Sequence, residues 1–262
     1  MTEAQRIIKY IAIAFGIFLI VSIFSSIFMF LNLFNTDSTE REVSTLVTIE
    51  DEILELDIDV RAVDLVINDG EELIVETNNK YITYEQVGKK LRIKEKKHSI
   101  LNNKNNKLII TLPSNLELDV FEISSGAGKI DIDRISTKKA DIELGAGKAV
   151  FNLLDISSRA EINGGAGEIT INNGSINNLD LDMGLGKVTI NSKLLGNADI
   201  DAGVGELNIN LLDSISEYSL NTNKGLGSIT LNGEYVTNIG SGENRIDIDG
   251  GIGSINITTI ER

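Results

Sequence analysis

The 262-residue chain has no cysteine and no tryptophan, one histidine and one proline. Without cysteine there is no disulfide, no thiolate metal site and no cysteine nucleophile. A catalytic histidine is restricted to His98, which lies in a lysine-rich stretch beside the tract Asn102–Lys107. Aromatic residues make up 5% of the chain, and several fall in one N-terminal apolar run, so no platform for stacking sugars is visible. Bases are also scarce: 24 Lys and Arg face 39 Asp and Glu, and the net charge of −15 excludes a general nucleic-acid binder. No P-loop, H-E-x-x-H, G-x-S-x-G or G-x-G-x-x-G motif occurs. The chain is not expected to be an enzyme, and no catalytic, cofactor or metal residues are assigned.

Charge is missing altogether from residues 10–34, a run of 25 residues rich in Ile, Phe and Leu. As a helix this run extends roughly 37 Å, enough to cross a hydrocarbon core of ~30 Å with some tilt. Arg6 and Lys9 precede it, and Asp37, Glu40 and Glu42 follow. The positive-inside rule then predicts a cytoplasmic tail at 1–9, a transmembrane helix at 10–34 and a tether at 35–42. Residues 43–262 are placed outside the cell membrane. The run is longer than the ~7–15 residues of a signal-peptide core and no A-x-A-like site follows, so an uncleaved anchor is expected.

What the chain does have is a repeat. The tripeptide G-x-G recurs at Gly126/Gly128, Gly145/Gly147, Gly165/Gly167, Gly184/Gly186, Gly203/Gly205, Gly225/Gly227 and Gly251/Gly253. Successive copies are 19, 20, 19, 19, 22 and 26 residues apart. Short runs alternating between apolar and polar residues flank each copy. In one of them Ala198, Ile200, Ala202 and Val204 share a parity, after which Leu207 and Ile209 take the other. A period of two marks a strand, and a one-residue slip would turn its apolar set outward. A bend at the glycines restores the inward face.

A repeat of ~20 residues built from short strands predicts one coil of a right-handed single-stranded β-solenoid, or β-helix, with an Ile/Val/Leu core and coils ~4.8 Å apart. A two-sheet sandwich is the competing architecture. Stacking predicts a ladder of Asn152, Asn172, Asn191, Asn210 and Asn232 at a turn, and outward acidic rows such as Asp180/Asp182, Asp199/Asp201 and Asp247/Asp249. The acidic ladder offers a flat array rather than the converging oxygens of a hard-cation site, so its expected role is solvation and edge protection.

Residues 43–118 lack the motif and are expected to form an irregular start that covers the first coil of the repeats at 119–262. Positions 37–76 hold 14 acids against Arg41 and Arg61, whereas 80–107 hold nine bases against Glu85 and Glu95. Lys89, Lys90, Arg92, Lys94, Lys96 and Lys97 form a candidate patch for an anionic partner such as lipid headgroups or wall polymer. A solvated strand face explains the same residues. The C-terminal coil shows no evident cap, which leaves end-to-end stacking open.

The stretch from Lys107 to Ile132, with its strand ending in Leu112-Pro113 and the glycine corners that follow, resembles the bacterial "putative adhesin" or toast-rack β-strand-repeat family. The resemblance covers roughly residues 45–260. It implies a β-repeat domain carried on an N-terminal transmembrane helix in the envelope of Gram-positive bacteria. It also implies association, in some members, with envelope-stress systems in which membrane partners control signalling. No catalytic residues follow from it. The function expected is a non-enzymatic binding module, an accessory to envelope-stress signalling acting through a membrane protein or envelope contacts. The alternative is a structural or adhesive module that binds polysaccharide or self-assembles.

Overall fold

The computed structural model describes residues 45–49, 52–96, 106–223, 225–235 and 238–260. The chain divides into Met1–Thr39 and Glu40–Arg262, and every described residue belongs to the second unit. The expected anchor at 10–34, together with Lys97 and His98, lies outside the described residues. Among the described residues no helix is long and apolar enough to cross a membrane.

The alternating runs become strands that coil. β8 (Leu118–Ile171) runs without interruption through three glycine corners, and β10 (Leu179–Leu195) and β11 (Asn197–Leu211) each carry one more. Neighbouring coils pair in parallel and in register: Leu185 lies beside Ala166 on one side and Val204 on the other. A third side of each turn is formed where β9 (Gly174–Asn177) pairs with Leu154–Ile156 and with Lys193–Leu195. The sandwich alternative is thereby excluded.

The parity switch is seen directly. Ala198 and Ile200 are buried on one side of the corner, and Leu207 and Ile209 on the other. Ile190 and Ile200 are fully buried. The middle residue of G-x-G departs from the inward reading. Ala127 is 9% exposed, Leu185 and Val204 are half-buried, and Ile252 and Leu226 are 53% and 75% exposed. The bend that restores the inward face turns this one residue out along the corner.

Coil order is not chain order. β16 (Asn244–Asp249) and β17 (Ile252–Thr259) pair with β11 on one side. Their other side pairs with β12 (Tyr218–Asn223) and β13 (Leu226–Leu231). The last coil in sequence is thus inserted beneath the one that precedes it. The same happens at the start. β2 (Glu55–Ala62) and β3 (Asp64–Gly70) lie between β8 and a later outer coil, β6 (Lys90–Glu95) with β7 (Lys107–Pro113). Antiparallel strands close that end: β4 (Leu73–Thr77) on β7, β1 (Thr45–Ile49) on β4, and β5 (Ile82–Val87) on β6. The expectation that the C-terminal coil is an uncapped end is therefore corrected, because both faces of β17 are paired.

The Asn ladder changes accordingly. Asn172 donates to Asn152 (2.9 Å) and Asn210 to Asn191. Asn232 does not stack on Asn210, whose Oδ1 instead accepts from Thr258 of the inserted coil (2.6 Å). Asn232, at φ 50°, opens a tight turn with Gly233 into β14 (Glu234–Tyr235).

Candidate functional site: side-chain rows along the ladder

Because coils stack in register, outward side chains of equal phase fall into rows. The first row runs Arg92, Asp57, Glu122, Asp141, Glu161, Asp180, Asp199, Asp247, Asn221. Two residues further along each strand lies a second, including Lys94, Asp59, Asp182, Asp201, Asp249 and Asn223. Basic side chains at the flank counter part of the first row. Arg159 reaches Asp180 (3.2 Å) and Glu161 (3.7 Å), and Arg245 reaches Asp247 (2.6 Å). Among the described residues Asp141, Glu143, Asp182, Asp199, Asp201 and Asp249 have no basic group within ion-pair distance.

The electrostatics follow from the spacing. Burial, then the carboxylates of Glu161, Glu143 and Glu122, push the Asp141 carboxyl up from its ordinary value. Asp201 is pushed up by burial and by Asp182, Asp249 and Asp199. Asp247 is held down, first by its hydrogen bond from Arg245. Like charges one coil apart repel by about 1 kcal/mol in water, so the face costs the fold stability at neutral pH. No group of carboxylates among the described residues converges on a point that would hold a metal ion.

The candidate basic patch is placed at the outer coil of the opposite end. Lys90 reaches Glu122 (2.8 Å), Asp57 (3.6 Å) and Glu55 (3.8 Å). Arg92 reaches Asp57 at 2.8 Å, Lys94 reaches Asp59 at 3.8 Å and Lys89 reaches Glu52 at 2.7 Å. Sequence reading separated an acidic segment from a basic one, and parallel pairing of β2 with β6 brings them together. The bases of β6 therefore terminate the acidic rows and are largely balanced within the domain. Lys96 follows directly after β6, where its backbone N–H donates to the Tyr81 carbonyl (2.9 Å), and Lys97 lies outside the described residues.

The glycine corners are a further row. An added Cβ on Gly145 would collide with the carbonyl oxygen of Gly126, and one on Gly186 with that of Gly167. Backbone stacks on backbone there, with no room for a side chain. In the inner N-terminal coil the equivalent corner is Arg61-Ala62-Val63, and among the described residues no corner backbone of another coil lies on its outer side. Its place is taken by Glu95, 7% exposed, whose carboxylate accepts from the backbone N–H groups of Arg61 (2.8 Å) and Ala62 (3.4 Å) and from Asn79 Nδ2 (2.9 Å). Asn106 Nδ2 donates to the Ala62 carbonyl (3.4 Å). The sequence reading missed this plug; its only signal is an acid amid lysines.

Two depressions follow the rows. One, of about 530 Å³, lies between the second acidic row and the corner glycines, lined by Ser124, Glu143, Asn163 and Asp182. The other, of about 480 Å³, is lined by Ser136, Thr137, Ser157, Ser175 and the Asp119–Lys138 pair (2.6 Å). Both are open grooves repeated from coil to coil.

The chain resembles several solved structures at low identity. A "putative cell adhesion protein" from Clostridium sporogenes is 19% identical, with 82% of this chain and 98% of that chain covered and a TM-score of 0.34. A "putative adhesin" from Bacteroides fragilis is 14% identical, covering 81% and 97% with a TM-score of 0.41. One from Parabacteroides distasonis is 14% identical, covering 86% and 100% with a TM-score of 0.42. No curated protein matches the chain. The sequence profile described as Toastrack DUF4097 matches residues 53–258, most of the chain, and the protein belongs to that family.

Proposed function

We propose that the protein is a non-enzymatic binding module of the bacterial cell envelope. In this reading residues 10–34 anchor it in the membrane with the N-terminus inside and the β domain outside. There it acts as an accessory to envelope-stress or regulatory signalling, through contact with a membrane protein or another envelope component. The observation that carries the reading is the row geometry. Polar side chains repeat from coil to coil instead of converging, an arrangement suited to an extended partner and not to enclosing a small substrate. A locked ladder also loses little conformational entropy on binding.

The open groove lined by serine and threonine hydroxyls favours one second reading, an adhesive or structural module that binds polysaccharide. In-cell crosslinking of the anchored protein, followed by mass spectrometry, separates the two. Capture of a membrane regulator supports the signalling accessory. Capture of wall polymer, or of the protein alone, supports the adhesive or structural reading. A chain recovered in the soluble cytoplasmic fraction overturns both.

A further inference from the structure

The glycine corners leave a channel along the outside of the ladder. Before each corner the outward positions end in a glycine, as in the series Asp180, Asp182, Gly184. No side chain fits at that third position: a Cβ on Gly184 would collide with the Gly165 carbonyl oxygen, and one on Gly165 with that of Gly145. Stacking the corners therefore stacks gaps, and the groove of about 530 Å³ beside Glu143, Asn163 and Asp182 is part of the resulting channel.

Its two walls differ in chemistry. One is the second acidic row, with Asn163, Asp182, Asp201 and Asp249 on successive coils. Among the described residues no base lies within ion-pair distance of these three aspartates. The other wall is the row of middle corner residues, Ala166, Leu185, Val204 and Ile252. The first three are half-buried and Ile252 is 53% exposed.

We propose that this channel is a docking groove for a basic amphipathic helix of a protein partner. The helix lies along the solenoid axis, its apolar stripe on the corner row and its lysines or arginines over the acidic row. The inference rests on the reading of the chain as a binding module, but not on its anchor or on signalling. Pitch selects a helix. Coils repeat every ~4.8 Å, whereas a helix presents one face every ~5.4 Å and a strand every ~6.7 Å. Five coil steps separate Gly126 from Gly251. Over them a helix drifts by about 3 Å, which long side chains absorb, and a strand by about 10 Å, two whole coils.

Charge selects the basic flank. Burial, then Asp182, Asp249 and Asp199, push the Asp201 carboxyl up from its ordinary value, and a cation over the row relieves that repulsion. Beyond the apolar row the charges are already paired, Lys148 with Glu168 (3.1 Å) and Lys187 with Glu206 (3.4 Å). Anionic lipid headgroups are repelled by the acidic wall, and two copies of the groove face to face would set acids against acids.

A fluorescently labelled synthetic peptide of about 16 residues, long enough as a helix to span these coils, serves as the probe. Its leucines follow helical spacing and its lysines line one flank. A peptide of the same composition that alternates Leu and Lys favours a strand and is the comparison. Both are titrated by anisotropy against the full-length protein at a fixed concentration of non-ionic detergent. Saturable binding of the helical peptide is expected, with the alternating peptide about tenfold weaker and both weakened by raised salt. Asp182→Asn combined with Asp201→Asn should weaken it about tenfold, and Ile252→Ser about threefold. These side chains are exposed, so the variants should keep their melting temperature, which is measured alongside. Undiminished binding to either variant, equal binding of the alternating peptide, or no saturable binding overturns the proposal. So does self-association of the protein that Ile252→Ser abolishes, which makes a second copy the occupant. The binding-module reading is tested by crosslinking in cells and can fail while the peptide still binds, so the two failures are distinguishable.

Discussion

At the scale of one residue, Gly186 shows how closely the backbones stack. Its φ of +136° disfavours any side chain, and its Cβ position coincides with the Gly167 carbonyl. Gly186→Ala is expected to cost at least about 3 kcal/mol, combining dihedral strain with a clash that backbone cannot relieve cheaply. Chemical denaturation of the variant checks this. Ile200→Asp is expected to unfold the domain, since a charge without a partner would sit in the core, and an unchanged melt would overturn the inward parity. Tyr218 gives the opposite expectation. Among the described residues its buried hydroxyl has no well-formed hydrogen bond, only a weak approach from the Leu194 backbone, and burial pushes its pKa up to about 12. Tyr218→Phe should therefore leave stability unchanged or raise it by about 1 kcal/mol.

At the scale of a strand row, the acidic face makes stability depend on pH. Asp141 and Asp201 have raised values in the fold, so ionisation disfavours the folded state. That penalty is full above their folded values and is lifted as pH falls toward the ordinary carboxylate range. Asp247 is lowered, and its contribution runs the other way, present above its ordinary value and lost as pH falls. Asp201→Asn should raise the melting temperature at neutral pH by an amount worth a few tenths to about 1 kcal/mol, a gain that shrinks in high salt. Thermal melts across pH and ionic strength test the sign. The end strands matter in a different way. Removing residues 244–262 takes away an interior coil, so β12 and β13 should lose amide-exchange protection along with it.

At the scale of the molecule, the first and last coils of the chain, β2–β3 and β16–β17, are both inserted, each held between two others. Fraying from either end of the solenoid must then start from later or earlier parts of the chain, at β4–β6 or from β12 to β15 (Asn238–Ile239). The ladder is thus closed by order of insertion as well as by its edge hairpins, which protects long parallel edges from unwanted pairing. Its N-terminal end adds a polar plug, and Glu95→Ala should cost about 1–3 kcal/mol by stranding the N–H groups of Arg61 and Ala62. A readout of urea unfolding with Glu95→Gln as the conservative comparison isolates the carboxylate.

Local pattern alone determined the β class, the coil length, the inward faces and the glycine corners. Each depends on residues close in sequence: alternation with period two, and a bend needed every ~20 residues. The acidic rows were legible for the same reason, once a constant period placed Asp180 over Asp199. Only the tertiary structure decided which coil lies next to which. Ile252 fits over Val204 as well as Leu226 would by pattern, because equivalent coils carry interchangeable corners, and nothing local ranks one stacking over the other. Insertion of the last coil places Thr258, not Asn232, on Asn210, and pairing of β2 with β6 turns two separated charge blocks into ion pairs. Those contacts join residues 35 to 48 positions apart, where sequence periodicity carries no information about which partner is chosen.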